Sequence, residues 1–146
     1  MKALDKILVT VILTMSFSCG RIDRKFDSKN PDTESNKKRF EEFFNFYPSP
    51  DVKNIYCFAD ELAFDHSYQF SFNCDKSTIN KIVSELKLSL AYEPNNYSEY
   101  LQREFFWWDR ECVKEIPPYF KEDDRNYWFL WYDTTNNKAY YIAFDM

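Results

Sequence analysis

Along the chain, apolar and polar positions change period several times, and each change marks an element. In "KKRFEEFFNFYP" (residues 37–48), Phe40, Phe43 and Phe44 fall at i, i+3 and i+4. That spacing predicts a short amphipathic helix ending before Pro48, its rings docked on the core. "VKNIYCF" (52–58) and "YQFSFNC" (68–74) read as strands. In the second, Tyr68, Phe70, Phe72 and Cys74 alternate with polar residues, the period of a half-buried strand. The acidic stretch between them, "ADELAFDHS", reads as a connection. "DKSTINKIVSELKLSL" (75–90) carries Ile79, Ile82, Val83, Leu86 and Leu90 on one helical face, with Asp75 or Ser77 available as a cap.

Residues 91–100 read as a loop, which contains the triplet Asn96-Tyr97-Ser98. "YLQREFFWWDRECVKEIPPYF" follows, with a short helix expected from Asp109 to Ile116 and stopped by Pro117 and Pro118. The chain closes with "NYWFLWYD", "TTNN" and "KAYYIAFD", two strands about an Asn-rich turn. Helix, two strands, helix, short helix and two strands predict one α+β domain. Its antiparallel sheet would have about four strands, with helices mainly on one face.

Composition changes this picture in two ways. Aromatic residues make up 21% of the 146, so a small domain can build its core from rings. A single glycine, Gly20, precedes the whole predicted domain. Phosphate-cradling loops need backbone that approaches closely and takes positive φ, so nucleotide-binding loops of the usual kinds are excluded. The net charge is −5 with no basic stripe, a poor match to nucleic acid.

The first twenty residues follow another logic. Lys2 and Lys6 precede an apolar run from Ile7 to Phe17, too short to span a bilayer as a helix. Ser16 and Ser18 are small residues three and one before Cys19. The pattern reads as a secretory signal over residues 1–18. Ending on "SFSCG", it resembles bacterial lipoprotein signals, although Ser16 stands where Leu is usual. The resemblance implies cleavage before Cys19 and lipidation of its sulfur and freed amine. It also implies delivery to the outer membrane where the host has one. Plain secretion by an ordinary signal peptidase is the competing reading. "GRIDRKFDSKNPDTESN" (20–36) is polar and reads as a flexible tether, leaving residues 37–146 as the domain. The segments "FFWWD", "YWFLWYD" and "KAYYIAFD" are similar to small bacterial lipoproteins without a characterised activity, which supports the location alone.

Candidate chemistry is sparse. His66 is the only histidine, and with Asp60, Glu61 and Asp65 it offers an acid–base or divalent-metal set. The spacing fits no known metal loop, and a solvated acidic turn competes with it, so no metal or cofactor is assigned. In an exported domain disulfides persist. A hairpin centred near residue 65 would bring Cys57 opposite Cys74, a candidate bridge, with Cys112 left free. Trp107, Trp108, Trp128, Trp131, Tyr140 and Tyr141 form a candidate binding surface if one sheet face is uncovered, and core if it is not. Trp128 and Trp131 lie three apart on one strand, so one faces the core and the other lies nearer solvent.

These readings favour a lipid-anchored, non-enzymatic module that binds a protein or glycan in the cell envelope. A membrane-tethered, immunity-type inhibitor of a toxin is one rival. A hydrolase or metal enzyme built on Asp60, Glu61, Asp65 and His66 is the other.

Overall fold

The computed structural model describes residues 25–62, 65–94 and 102–146. Three helices and six strands follow one another among them: α1 (Glu34–Phe44), β1 (Lys53–Leu62), β2 (Asp65–Asn73), α2 (Lys76–Leu86), β3 (Ser89–Leu90), α3 (Arg110–Glu115), β4 (Tyr119–Asp123), β5 (Asn126–Asp133) and β6 (Lys138–Asp145). The strands form one sheet in the order β1-β2-β6-β5-β4-β3, every neighbouring pair antiparallel. The α+β class is as the pattern predicts. The sheet is larger than the expected four strands. β3 is two exposed residues, and β4 runs "YFKED" with no apolar alternation, so neither carries a readable period.

The central strands β5 and β6 are buried on both faces, which explains their nearly continuous apolar sequence. Against one face pack Phe40 and Phe44 of α1 and Ile79 and Ile82 of α2, over Cys57, Phe70, Phe72, Leu130 and Tyr141. Against the other lie Trp107, Trp108 and Val113, over Phe129, Trp131, Tyr140 and Ile142. Two of the three helices, α1 and α2, thus share one face, and the short α3 lies on the other. The segment 102–109 and α3 close the second face with stacked rings, Phe105 on Trp107 at 4.5 Å and Tyr56 on Trp107 at 5.6 Å.

The 19–36 tether is also corrected in its second half. Residues 25–33 dock on β1 through one carboxylate, the backbone of Asp27 and Asp32, and the Asn36 amide. Asp32 accepts from the backbone N–H groups of Asn54 and Ile55, at 3.0 and 2.9 Å. Its own N–H donates to the Ile55 carbonyl at 3.1 Å. Asn36 is fully buried and ties three segments together. Its Nδ2 donates to the carbonyls of Asp27, Asn30 and Ile55, and its Oδ1 accepts from the Asp27 N–H at 2.9 Å. Polar composition predicts a solvated coil, but here the polar side chains satisfy an exposed strand edge.

With no glycine after Gly20, left-handed backbone falls on Asp32, Asn45, Asn54, Lys87, Asp124 and Asn137 among the described residues. Five of these are Asn or Asp, residue types that tolerate φ > 0 best after glycine. Asn45 caps α1 in this conformation, and Lys87 caps α2.

Candidate functional site

One row of side chains across the sheet explains the site. Ala59 of β1 pairs with Tyr68 of β2, Tyr68 with Ala143 of β6, Ala143 with Trp128 of β5, and Trp128 with Lys121 of β4. The small Ala143 between two ring-bearing positions leaves a low floor. From α1, which ends at Phe44, Phe43 reaches this end of the sheet, where its ring lies 4.8 Å from that of Tyr68. The result is a pocket of about 210 Å³ lined by Phe43, His66, Tyr68, Asn126, Trp128, Ala143, Phe144 and Asp145.

Its polar rim is the next row. β6 ends with Asp145 paired to Asn126, and the Asp145 carboxylate reaches across to β2. Asp145 Oδ1 accepts the His66 backbone N–H, and Oδ2 lies 3.1 Å from His66 Nδ1. The His66 backbone bond, followed by the contact to its ring, holds the Asp145 carboxyl below the usual carboxylate value. Tyr68 donates its hydroxyl to Glu61 at 3.2 Å; burial first, then Glu61, pushes its ionisation upward. Lys121 Nζ stands 4.9 Å from the Trp128 ring centroid.

The acid–base and metal set does not converge. Asp60 pairs with Arg103, and Glu61 pairs with Lys25 and Tyr68. His66 pairs with Asp145. Adjacent residues of a strand face opposite ways, and these partners pull Asp60 and Glu61 apart. The side chain of Asp65 lies outside the described residues. Among those described, no group of three His, Cys, Asp or Glu is placed to hold a metal ion.

The candidate bridge is corrected as well. The hairpin is centred between Leu62 and Asp65, so Cys57 faces Phe70 and not Cys74. Both thiols are free and buried. Cys57 Sγ donates to Asn36 Oδ1 at 2.8 Å. Burial pushes the ionisation of each up to about 12.

Of the six aromatic residues in the candidate surface, five are core. Trp107, Trp108, Trp131, Tyr140 and Tyr141 are each at most 6% exposed. Trp128 is half-buried, packs at the edge of the first core and lines the pocket, so the division between Trp128 and Trp131 holds. The sequence reading missed Tyr68, Asn126 and Asp145 as site residues. Tyr68 shares its strand face with His66, and the final hairpin's turn sets Asp145 opposite Asn126, so part of the rim could be found by counting. The β2–β6 pairing that joins these two halves spans more than seventy residues and leaves no local signal.

A larger recess, about 370 Å³, lies by β3 and β4 and includes Lys76, Tyr92, Tyr119 and Tyr132. Its lysine already donates to the Tyr119 hydroxyl at 2.8 Å, and no carboxylate lines it. The smaller pocket combines aromatic walls with a carboxylate, an imidazole and an amide, the mixture that orients a polar ring. Comparison with protein-family models, curated proteins and solved structures finds no match to this chain.

Proposed function

We propose that this chain is a lipid-anchored protein of the cell envelope, attached at Cys19, whose domain binds a glycan without altering it chemically. The observation that carries the binding reading is the pocket between Tyr68 and Trp128, with Asp145, His66 and Asn126 on its rim. Sugar rings have an apolar C–H face that packs on aromatic rings, and hydroxyls that bond carboxylate, imidazole and amide groups. A volume of about 210 Å³ is below the ~300–1,000 Å³ of sites that enclose a drug-sized ligand, so it suits one terminal ring. Binding is favoured over catalysis because the one hydroxyl donor lining the pocket, Tyr68, is committed to Glu61. The anchor is supported by Lys2, Lys6, the apolar run and "SFSCG".

The test uses the full chain extracted from membranes in detergent. Tryptophan fluorescence is followed while methyl glycosides and short envelope oligosaccharides are added. Saturable binding, weakened at least tenfold by Trp128→Ala in a folded protein, is expected. Failure of every sugar, or an unchanged Trp128→Ala, sinks the glycan reading. Cys19→Ala should leave the membrane fraction or remain uncleaved, and a processed, membrane-bound variant sinks the anchor.

A further inference from the structure

The stretch 25–36 fixes where the anchor leaves the domain. A tether running freely from Cys19 to residue 36 would let the domain roam about 60 Å from the membrane at full stretch. The bonds of Asp27, Asp32 and Asn36 to β1 remove that freedom, because they hold the segment against the sheet edge. The chain from Cys19 to Lys25 is six residue steps and spans at most about 20 Å. A domain of this size is about 35 Å across, wider than its leash.

The leash leaves from the pocket's end of the sheet. Lys25 Nζ lies 3.4 Å from Glu61, near the β1–β2 turn. The Phe26 ring is 5.8 Å from that of Tyr68 and 6.5 Å from that of Phe43, and both of these line the pocket. The β5–β6 turn at 134–137 is at the other end, about 24 Å along β6.

Resting on the anchor and glycan readings above, we infer that the pocket works at the membrane surface, on the sugar head of a membrane-held glycolipid. A free polymer remote from the bilayer is not its ligand. Asp145 is the one carboxylate lining the pocket and no lysine or arginine lines it, so the head it takes is a neutral or amino sugar and not a phosphate.

The lipidated full chain is reconstituted into phosphatidylcholine vesicles, with and without a monoglycosyl diacylglycerol. Binding is read from tryptophan fluorescence, and the same sugar is supplied free as its methyl glycoside. Orientation is read from a fluorophore on Arg125→Cys, at the pocket end, or on Thr134→Cys, at the far end, each in a Cys112→Ser background. A headgroup nitroxide lipid serves as the quencher. Strong quenching at 125 and weak quenching at 134 are expected. A Trp128-dependent response to the glycolipid at a surface concentration where the free glycoside gives none is also expected. Equal quenching at both positions, or a response to free glycoside with none to glycolipid, overturns the inference and leaves the glycan reading standing. No response to either sugar brings down the glycan reading with it. Protein that fails to co-float with the vesicles refutes the anchor instead.

Discussion

Cys57 shows how one side chain's surroundings decide its chemistry. Its strand position puts it opposite Phe70, its neighbours are Phe and Ile side chains of the first core, and its thiol donates to the Asn36 amide oxygen. A thiolate there would lose its hydration, a cost that the Asp27 backbone and the charge of Arg39 do not offset, so the proton stays and the group behaves as a small hydrophobe. Cys74 is in the same position, with the charges of Asp51 and Asp75 adding to the effect of burial. Cys112 is half-exposed, but burial and then Asp133 raise it to about 11. Native protein at about pH 8 should therefore show three free thiols in non-reducing mass mapping. Maleimide should modify Cys112 slowly and the other two only after denaturation. A Cys57–Cys74 bridge in the map, or labelling of all three at one rate, would contradict the hairpin register itself.

At the scale of elements, what could be read depended on whether a segment's own period matched its burial. The final hairpin was legible residue for residue, because "TTNN" fixes the turn and both strands are apolar throughout. α3 was legible from Asp109, whose carboxylate accepts the Cys112 N–H at 3.0 Å, and from the two prolines after it. The β1–β2 hairpin was located but cut short, since Asp60, Glu61, Asp65 and His66 look like a loop and are strand residues, three of them, Asp60, Glu61 and His66, held by partners elsewhere. Long-range pairing made them strand, and sequence windows do not see it. The candidate site was half legible for the same reason: Trp128 and His66 were in view, but the Asp145 that joins them was not. Capping offers a test at this scale. Lys87 closes α2 at φ 55°, its N–H bonded to Ser84 and Val83, with its side chain in solvent. A left-handed residue with a Cβ costs roughly 1–2 kcal/mol, and glycine is the usual solution. Lys87→Gly should stabilise the domain by about 1 kcal/mol, after glycine's greater unfolded-state freedom is subtracted. Urea unfolding measures it, and a loss of stability would mean that α2 ends differently.

For the molecule as a whole, hydrogen-bonded carboxylates and buried thiols set the pH range in which it stays folded. On the acid side, Asp133 is held below the ordinary carboxylate value by the Asn136 side chain and then the Thr135 and Asn136 N–H groups. Asp51 lies in the same direction: burial works against it, but bonds from Ser49, Asp75 and Thr78 outweigh that. Asp145 follows through His66. A depressed carboxyl stabilises the fold above its unfolded value, about 4, and the contribution disappears as pH falls through the lower folded value. On the alkaline side, Cys57 and Cys74 are raised by burial. Their contribution is complete below the unfolded thiol value of about 8.5 and is lost as pH climbs toward about 12. Tyr141, fully enclosed, shifts the same way. The melting temperature should thus be level between about pH 5 and 8 and fall on both sides. The limbs have separate owners, so they should separate by mutation. Asp133→Asn should flatten part of the acid limb and, by removing a charge that raises Cys112, trim the alkaline one only slightly, whereas Cys57→Ala should flatten the alkaline limb and leave the acid one alone. Thermal melts of the three proteins across the range read this directly. If Asp133→Asn moves both limbs equally, the turn carboxylate acts only through packing, and the acid limb belongs to other groups.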